Sequence, residues 1–300
     1  MQPSHASSHR QADLLLVAVT LLAAAGWIFS RETVAGLSPL VFMALRFTSA
    51  GIILALLDYR ALHQLDRSQW QAALRIGLLF GIAMIFWVTG LKLTTHVGIG
   101  AFLTCLGLVF VPVISLLFGD RPSLHVYFAL PLALAGLACL SLDSDFHLGV
   151  AEACFLMATF ILALMFILSS RAAARIPAMP LTAIQMLVTG LLTAIASLIF
   201  EDWDLQQPPA IWGWFFASLL ISTCLRYLWQ TRALGMTLPS HSAIIMILEP
   251  VWTAILAALW LNEQMSALQL GGCGLIFISM LVNRWPALRL WLKAMQQTPP

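Results

Sequence analysis

Apolar runs of 17 to 21 residues, separated by short polar breaks, recur along the whole 300-residue chain. They cover residues 14–30, 39–57, 72–90, 98–118, 124–142, 149–169, 181–200, 211–229, 241–261 and 267–283. At about 1.5 Å per residue, runs of this length match a hydrocarbon core of about 30 Å, whereas a spanning strand needs only about 9 to 11 alternating residues. The pattern predicts an all-α membrane protein with ten transmembrane helices. The first run lacks an AxA-like site before a polar region and is followed at once by another run, so it reads as a span rather than a cleaved signal.

The polar breaks sort by charge. With the N-terminus inside, one set of segments carries Arg10, Arg60, Arg67, Arg75, Arg121, Arg171, Arg175, Arg226, Arg232, Arg284, Arg289 and Lys293, twelve of the fifteen Lys and Arg. The opposite set has Arg31 and Lys92 and collects Glu32, Asp143, Asp145, Glu201, Asp202, Asp204 and Glu263. The positive-inside rule places both termini in the cytoplasm, with the multi-pass chain in a bacterial inner membrane. Indoles favour the interface, and Trp70, Trp229, Trp285 and Trp291 fall at inner ends, Trp87, Trp203, Trp212, Trp214 and Trp260 at outer ends. Trp27 and Trp252 fit neither belt. In the tail, Trp285, Leu288, Trp291, Leu292 and Met295 recur at helical spacing around Arg289 and Lys293, which predicts a helix lying on the inner surface.

Composition narrows the function classes. The chain is 61% hydrophobic and 9% charged, against about 25% charged for soluble domains, so its net charge of +2 implies no nucleic-acid partner. Cys105, Cys139, Cys154, Cys224 and Cys273 lie in apolar runs without a CxxC or Cys/His cluster, which points to buried thiols rather than disulfides or a metal site. No HExxH, GxSxG or P-loop occurs, and the loops are too short for a soluble catalytic domain. An enzyme, a cofactor, a metal and direct ATP use are therefore not expected. The expected partners are a small-molecule substrate and the lipid bilayer; the oligomeric state stays open, a monomer included.

A shift of about 143 residues lays Leu91–His96 on Leu234–Pro239 and Asp120 on Glu263, and a similar shift pairs Pro39-Leu40 with Pro180-Leu181. The chain then divides into a cytoplasmic tail (1–13), a five-helix repeat (14–142), a second repeat (149–283) and an interfacial tail (284–300). Five helices start on one side and finish on the other, so the second copy must be inverted. Inverted repeats characterise transporters, whose substrate sites lie near the midplane between the halves.

Several stretches carry a family resemblance. Ala25-Gly26-Trp27, Pro39 followed by Arg46, and Gly90-Leu91-Lys92-Leu93-Thr94-Thr95 resemble the EamA branch of the drug/metabolite transporter superfamily. So do Ala101-Phe102-Leu103-Thr104 leading to Val109-Phe110-Val111-Pro112, and the run from Ala233-Leu234 to Leu248-Glu249-Pro250. The resemblance extends from about residue 14 to 283. It implies a ten-helix exporter of amino acids or other small metabolites, with a central cavity lined mainly by helices 1, 3, 4, 6, 8 and 9. His96 stands where the family often has a small residue, and Arg226 with Tyr227 gives helix 8 an unusual polar end.

Ionisable groups inside spans are the strongest leads, because a mid-bilayer charge costs at least about 2.5 to 3.5 kcal/mol. Glu249 lies near mid-depth beside Pro250, and two readings stay open: a group that binds a substrate ammonium or carries a proton, or half of a Glu-Pro pair that bends the helix. Ile245, Glu249, Trp252 and Leu256 share a helical face, so Trp252 is a candidate cavity wall. Arg46, in helix 2, is assigned to structure, pairing with backbone carbonyls or an outer-loop acid; a carboxylate clamp is the alternative. Arg226, followed by Tyr227, either snorkels to the inner headgroups or forms an inner site for an anionic cytoplasmic substrate. His96 and His241, near the starts of helices 4 and 9, are candidates for proton coupling or for helix-end hydrogen bonds. Trp27, Trp87 and Phe102 complete the candidate substrate-binding set, Trp87 with an interfacial alternative.

Glu152 is expected at the outer interface. Gly77 and Gly81, and Gly271, Gly272 and Gly274, are expected at close helix contacts. The outer acids Asp143, Asp145, Asp202 and Asp204 lack further oxygen ligands for a cation. Together these features predict a secondary transporter exporting an amino acid or amino-acid-derived compound, metallophores included, by alternating access. A channel or a non-transporting scaffold is the alternative.

Overall fold

The computed structural model describes residues 5–93, 97–141, 149–261 and 266–296. Its elements are α1 (His5–Val34), α2 (Pro39–Leu57), the short α3 (Tyr59–His63), α4 (Arg67–Leu93), α5 (Val97–Leu117) and α6 (Leu124–Ser141). There follow α7 (Val150–Ala173), α8 (Ala178–Phe200), α9 (Pro209–Ala217), a π-helical segment (Ser218–Leu225), α10 (Arg226–Leu234), α11 (Pro239–Met246), α12 (Glu249–Leu261) and α13 (Ala267–Gln296). Among the described residues all regular structure is helical. α1, α2, α4, α7, α8 and the continuous stretch Pro209–Leu234 are long and apolar enough to cross a bilayer; α5, α6 and α13 contain shorter apolar stretches. The surface is apolar as well. Leu117, Leu57, Phe128 and Leu198 are 69% exposed or more, while Arg46, Gln185, Thr189 and Ser218 are buried. An apolar exterior around a polar-containing interior suits lipid rather than water.

Prolines set several helix starts. Pro39, Pro209 and Pro239 occupy the opening turns of α2, α9 and α11, where a missing N–H breaks no helical bond. Pro250 acts differently. Its ring clashes with the carbonyl of Met246 and it cannot donate to it, so the ninth run divides into α11 and α12 around a turn at Ile247 and Leu248. The run 241–261, expected as one helix, is therefore discontinuous, and Glu249 opens its second piece rather than sitting inside an unbroken one. A second departure lies in the eighth run, where Ser222 Oγ and Thr223 Oγ1 both donate to the Ser218 carbonyl at 2.9 Å. These side-chain bonds to a main-chain carbonyl accompany the widened π-turn. A third lies at the C-terminus: α13 runs unbroken from Ala267 to Gln296, so the expected interfacial tail continues the helix.

The two halves interleave. α2 packs on α8, α6 on α13 and α5 on α11, each helix against its counterpart in the other half. The contacts of α7 with α4 and α5 are matched by those of α1 with the π-segment, α10, α11 and α12, so the two halves pack in broadly corresponding ways. Small residues allow the close crossings. A Cβ on Gly77 would stand 2.7 Å from Val188 Cβ, and one on Gly81 2.6 Å from Leu192 Cδ1, so both glycines seat α4 against α8. Gly272 is buried against α6, where its carbonyl faces Gly136, whereas Gly271 and Gly274 face open space.

Candidate functional site

The interior faces of α1, α2, α4, α5, α7, α10 and the α11–α12 break line a cavity of about 180 Å³. α1 offers Ala23, Gly26, Trp27 and Ser30, and α4 offers Phe80, Met84 and Trp87; each set has the spacing of one helical face. Met43 and Arg46 come from α2, Thr104, Cys105 and Leu108 from α5, and Met165 and Phe166 from α7. Ser222 of the π-segment, Arg226, Tyr227 and Gln230 of α10, Met246 and Glu249 complete the wall. The lining is mainly aromatic and methionine-rich, with a few polar groups, the usual make-up of a small-molecule site.

Glu249 holds the centre of the polar part. Its Oε1 accepts from Trp27 Nε1 at 3.1 Å, and its Oε2 lies 3.5 Å from Arg226 Nη2. Arg226 in turn stacks on the Tyr227 ring at 4.5 Å. Trp27 leans on Trp87 with ring centroids 5.1 Å apart, so both indoles form one wall. The helix break makes this possible, because it brings Glu249 to the start of α12, facing α1 and α10, instead of burying it in a regular helical face. The widened π-turn immediately before Arg226 shifts the register of α10 relative to α9 and turns its guanidinium toward the cavity.

Arg46 belongs to the same cavity. Its Nη1 donates to Ser30 Oγ at 3.0 Å and to Ser218 Oγ at 3.3 Å, and its guanidinium lies 5.2 and 5.0 Å from the Phe42 and Phe47 rings. It links α2 to α1 and to the π-segment through the Ser30 and Ser218 hydroxyls, not through carbonyls or an outer-loop acid. The expectation that helix 2 stands outside the main cavity is corrected by Arg46 and Met43.

The structure brings Trp27, Trp87, Arg226, Tyr227 and Glu249 together in one cavity. The snorkelling alternative for Arg226 gives way to a guanidinium that is 16% exposed and paired with Glu249. Trp252 is placed elsewhere: although it follows Glu249 by three residues in the same helix α12, it does not line the cavity and packs against the cluster of Val109, Ala133, Leu248 and Ile276. His241 also lies outside the cavity. Its Nε2 is 2.9 Å from Asp13 Oδ1 and its Nδ1 is 3.3 Å from Asn283 Nδ2, linking α11 to α1 and α13. His96 and the acids Asp143, Asp145 and Glu263 lie outside the described residues, as does the side chain of Phe102. Glu152 accepts from Gly149 N at 2.8 Å and caps its own helix, and Asp204 closes a local turn onto Gln206 N.

Sequence reasoning missed Ser30, Ser218, Ser222 and Gln230, which contribute polar atoms around the arginines. The cluster Ser218, Ser222, Thr223 and Cys224 inside an apolar run was the available signal, since such side chains bond carbonyls within a helix and loosen it.

All-helical regular structure among the described residues, an apolar exterior, corresponding halves and a mixed-polarity cavity between them define the class as a multi-pass membrane protein built around a small-molecule site. The EamA-like transporter family matches the chain twice, over residues 10–142 and 150–285. The chain belongs to that family and is a membrane transporter by membership. Twenty-nine solved chains are similar to it; one, titled "Crystal structure of protein", has a TM-score of 0.79 at 20% identity, covering 93% of this chain and 98% of its own. At that identity the likeness is one of fold. No curated protein matches the chain.

Proposed function

We propose that this protein is a secondary transporter that exports a small metabolite, an amino acid or amino-acid-derived compound with metallophores included, across the bacterial inner membrane by alternating access. In this reading ten spans form two inverted five-helix repeats with both termini in the cytoplasm. The observation that carries it is the Glu249–Arg226 pair at a helix break and beside a π-segment, facing a cavity shared by both halves. Discontinuous helices at the junction of repeats expose polar groups at mid-depth without unsatisfied backbone facing lipid. Contacts at the inner end support a closed cytoplasmic side: Asp13 with His241, Ser170 with the Leu234 carbonyl at 3.0 Å, and Thr182 with Thr231 at 2.9 Å.

A metabolite screen for thermal stabilisation of the purified protein selects the substrate, since a ligand of the folded state raises its apparent stability. Efflux of the selected compound from loaded proteoliposomes is then expected to exceed that of empty-protein vesicles and to saturate with concentration. No flux above protein-free vesicles, or flux that rises linearly without saturation, counts against a carrier.

A further inference from the structure

Charge in the cavity is unevenly answered. The described lining carries Arg46, Arg226 and Glu249 as its charged side chains, a balance of one positive. Glu249 is committed, one oxygen to Trp27 and the other to Arg226. Arg46 has no such partner. It is 7% exposed, its hydrogen bonds go to two neutral hydroxyls, and its Nε is buried without an acceptor. None of the ion pairs among the described residues includes it. A guanidinium removed from water and left without an anion is unfavourable, and such groups in membranes are answered by a pairing partner or a substrate.

Resting on the transporter reading above, we infer that the substrate is a monoanion: a carboxylate that docks on Arg46, with an apolar body against the Trp27–Trp87 wall and no free ammonium group. The fork of guanidinium donors matches a carboxylate bidentately. Phe80, Met84, Met165 and Phe166 supply the complementary apolar surface. A free ammonium has no vacant carboxylate to meet, because it would have to displace Arg226 or the Trp27 N–H from Glu249. Among amino-acid-derived compounds, the geometry therefore favours those whose nitrogen is acylated or removed. Bringing in one negative charge neutralises the cavity, and the empty cavity keeps its positive balance.

The test is a charge series on one skeleton. Phenylpropanoate, phenylalanine and phenethylamine share a phenyl ring and a short chain and carry one negative, zero net and one positive charge. Calorimetric titration into the purified full-length protein is expected to show phenylpropanoate binding at least about tenfold tighter than either other probe. Arg46→Gln is expected to erase that preference, and Arg46→Lys, which keeps the charge and loses the fork, to reduce it in part. Glu249→Gln, which raises the positive balance, is expected to tighten phenylpropanoate binding. Equal affinities, a preference for phenylalanine or phenethylamine, no binding of phenylpropanoate at millimolar concentration, or an unchanged preference in Arg46→Lys each overturn the inference. The wild-type series needs no variant to fold. Arg46-dependent binding of phenylpropanoate without flux of any anion in proteoliposomes would leave the anion site standing and sink the transport reading. Saturable flux of phenylalanine without phenylpropanoate binding would do the reverse.

Discussion

Replacing Glu249 by Gln keeps the side chain's shape and an acceptor oxygen but removes one charge from the cavity centre. At 3.5 Å from Arg226, with an effective dielectric of about 20, the attraction lost is about 5 kcal/mol before desolvation is counted. Removing the carboxylate's charge also removes its desolvation cost, while Arg226 stays half-buried, at 16% exposure, beside the Tyr227 side chain and without a carboxylate. A fully buried pair broken in this way costs about 3 to 5 kcal/mol. The cavity's partial access to water lowers that, and the Trp27 N–H then bonds a neutral oxygen at a further cost of about 0.5 to 1 kcal/mol, giving a net destabilisation of about 2 to 4 kcal/mol. The variant is expected to insert and fold, with a lower thermal midpoint. Its flux of the screened metabolite per folded molecule is expected to fall about tenfold or more, as an unpaired Arg226 favours one conformation over the other. Thermal unfolding in detergent and proteoliposome efflux, normalised to folded protein, measure the two effects. A midpoint and a flux equal to wild type would refute the reasoning and remove Glu249 from the mechanism.

Further outcomes follow from the same contacts. Trp27→Phe keeps the aromatic wall against Trp87 and loses the N–H to Glu249, so it is expected to cost about 1 to 2 kcal/mol in thermal unfolding while substrate binding weakens only modestly. Gly26→Ala sets a Cβ 2.6 Å from Ser222 Cβ; an overpacking cost of about 1 to 3 kcal/mol is expected, with recovery in the Gly26→Ala, Ser222→Gly double variant, read by unfolding midpoints. His241→Ala breaks contacts to Asp13 and Asn283, and it is expected to lower the midpoint and speed proteolysis where α1, α11 and α13 meet. Asp120→Asn removes the Arg171 pair at 3.1 Å, but Arg171 is 43% exposed, so a change of no more than about 0.5 kcal/mol is expected.

The run pattern, the charge sorting and the family-like motifs make the helices, the repeat and most cavity faces legible in advance. Trp27 and Trp87 are candidates from the sequence; Ser30, Met84 and Phe80 share their helical faces and follow only once those faces are known to meet the cavity. Trp252 shows where such reasoning stops. It stands three residues after Glu249 in the same helix, about 60° away around the axis, and only the packing of α5, α6 and α13 decides that Glu249 meets the cavity while Trp252 meets its neighbours. Arg226 shows the same limit from the other side: nothing in its own helix reveals a carboxylate 23 positions later in the chain and 3.5 Å away.

By itself the sequence determined what depends on local chemistry and length: helices rather than strands, their apolar exterior, the direction in which positive charge lies, and the presence of few ionisable groups inside spans. Tertiary structure alone decided which of those groups meet. Arg46 and Ser218 are 172 positions apart, Trp27 and Glu249 222 positions apart, and contacts of that separation are selected by how two halves interdigitate around glycine-lined crossings, a helix break and a π-turn. The physical reason is that periodicity records only which side of a helix avoids lipid. Which buried charge finds a carboxylate partner, as Arg226 does, and which meets only hydroxyls, as Arg46 does, is settled when the helices pack.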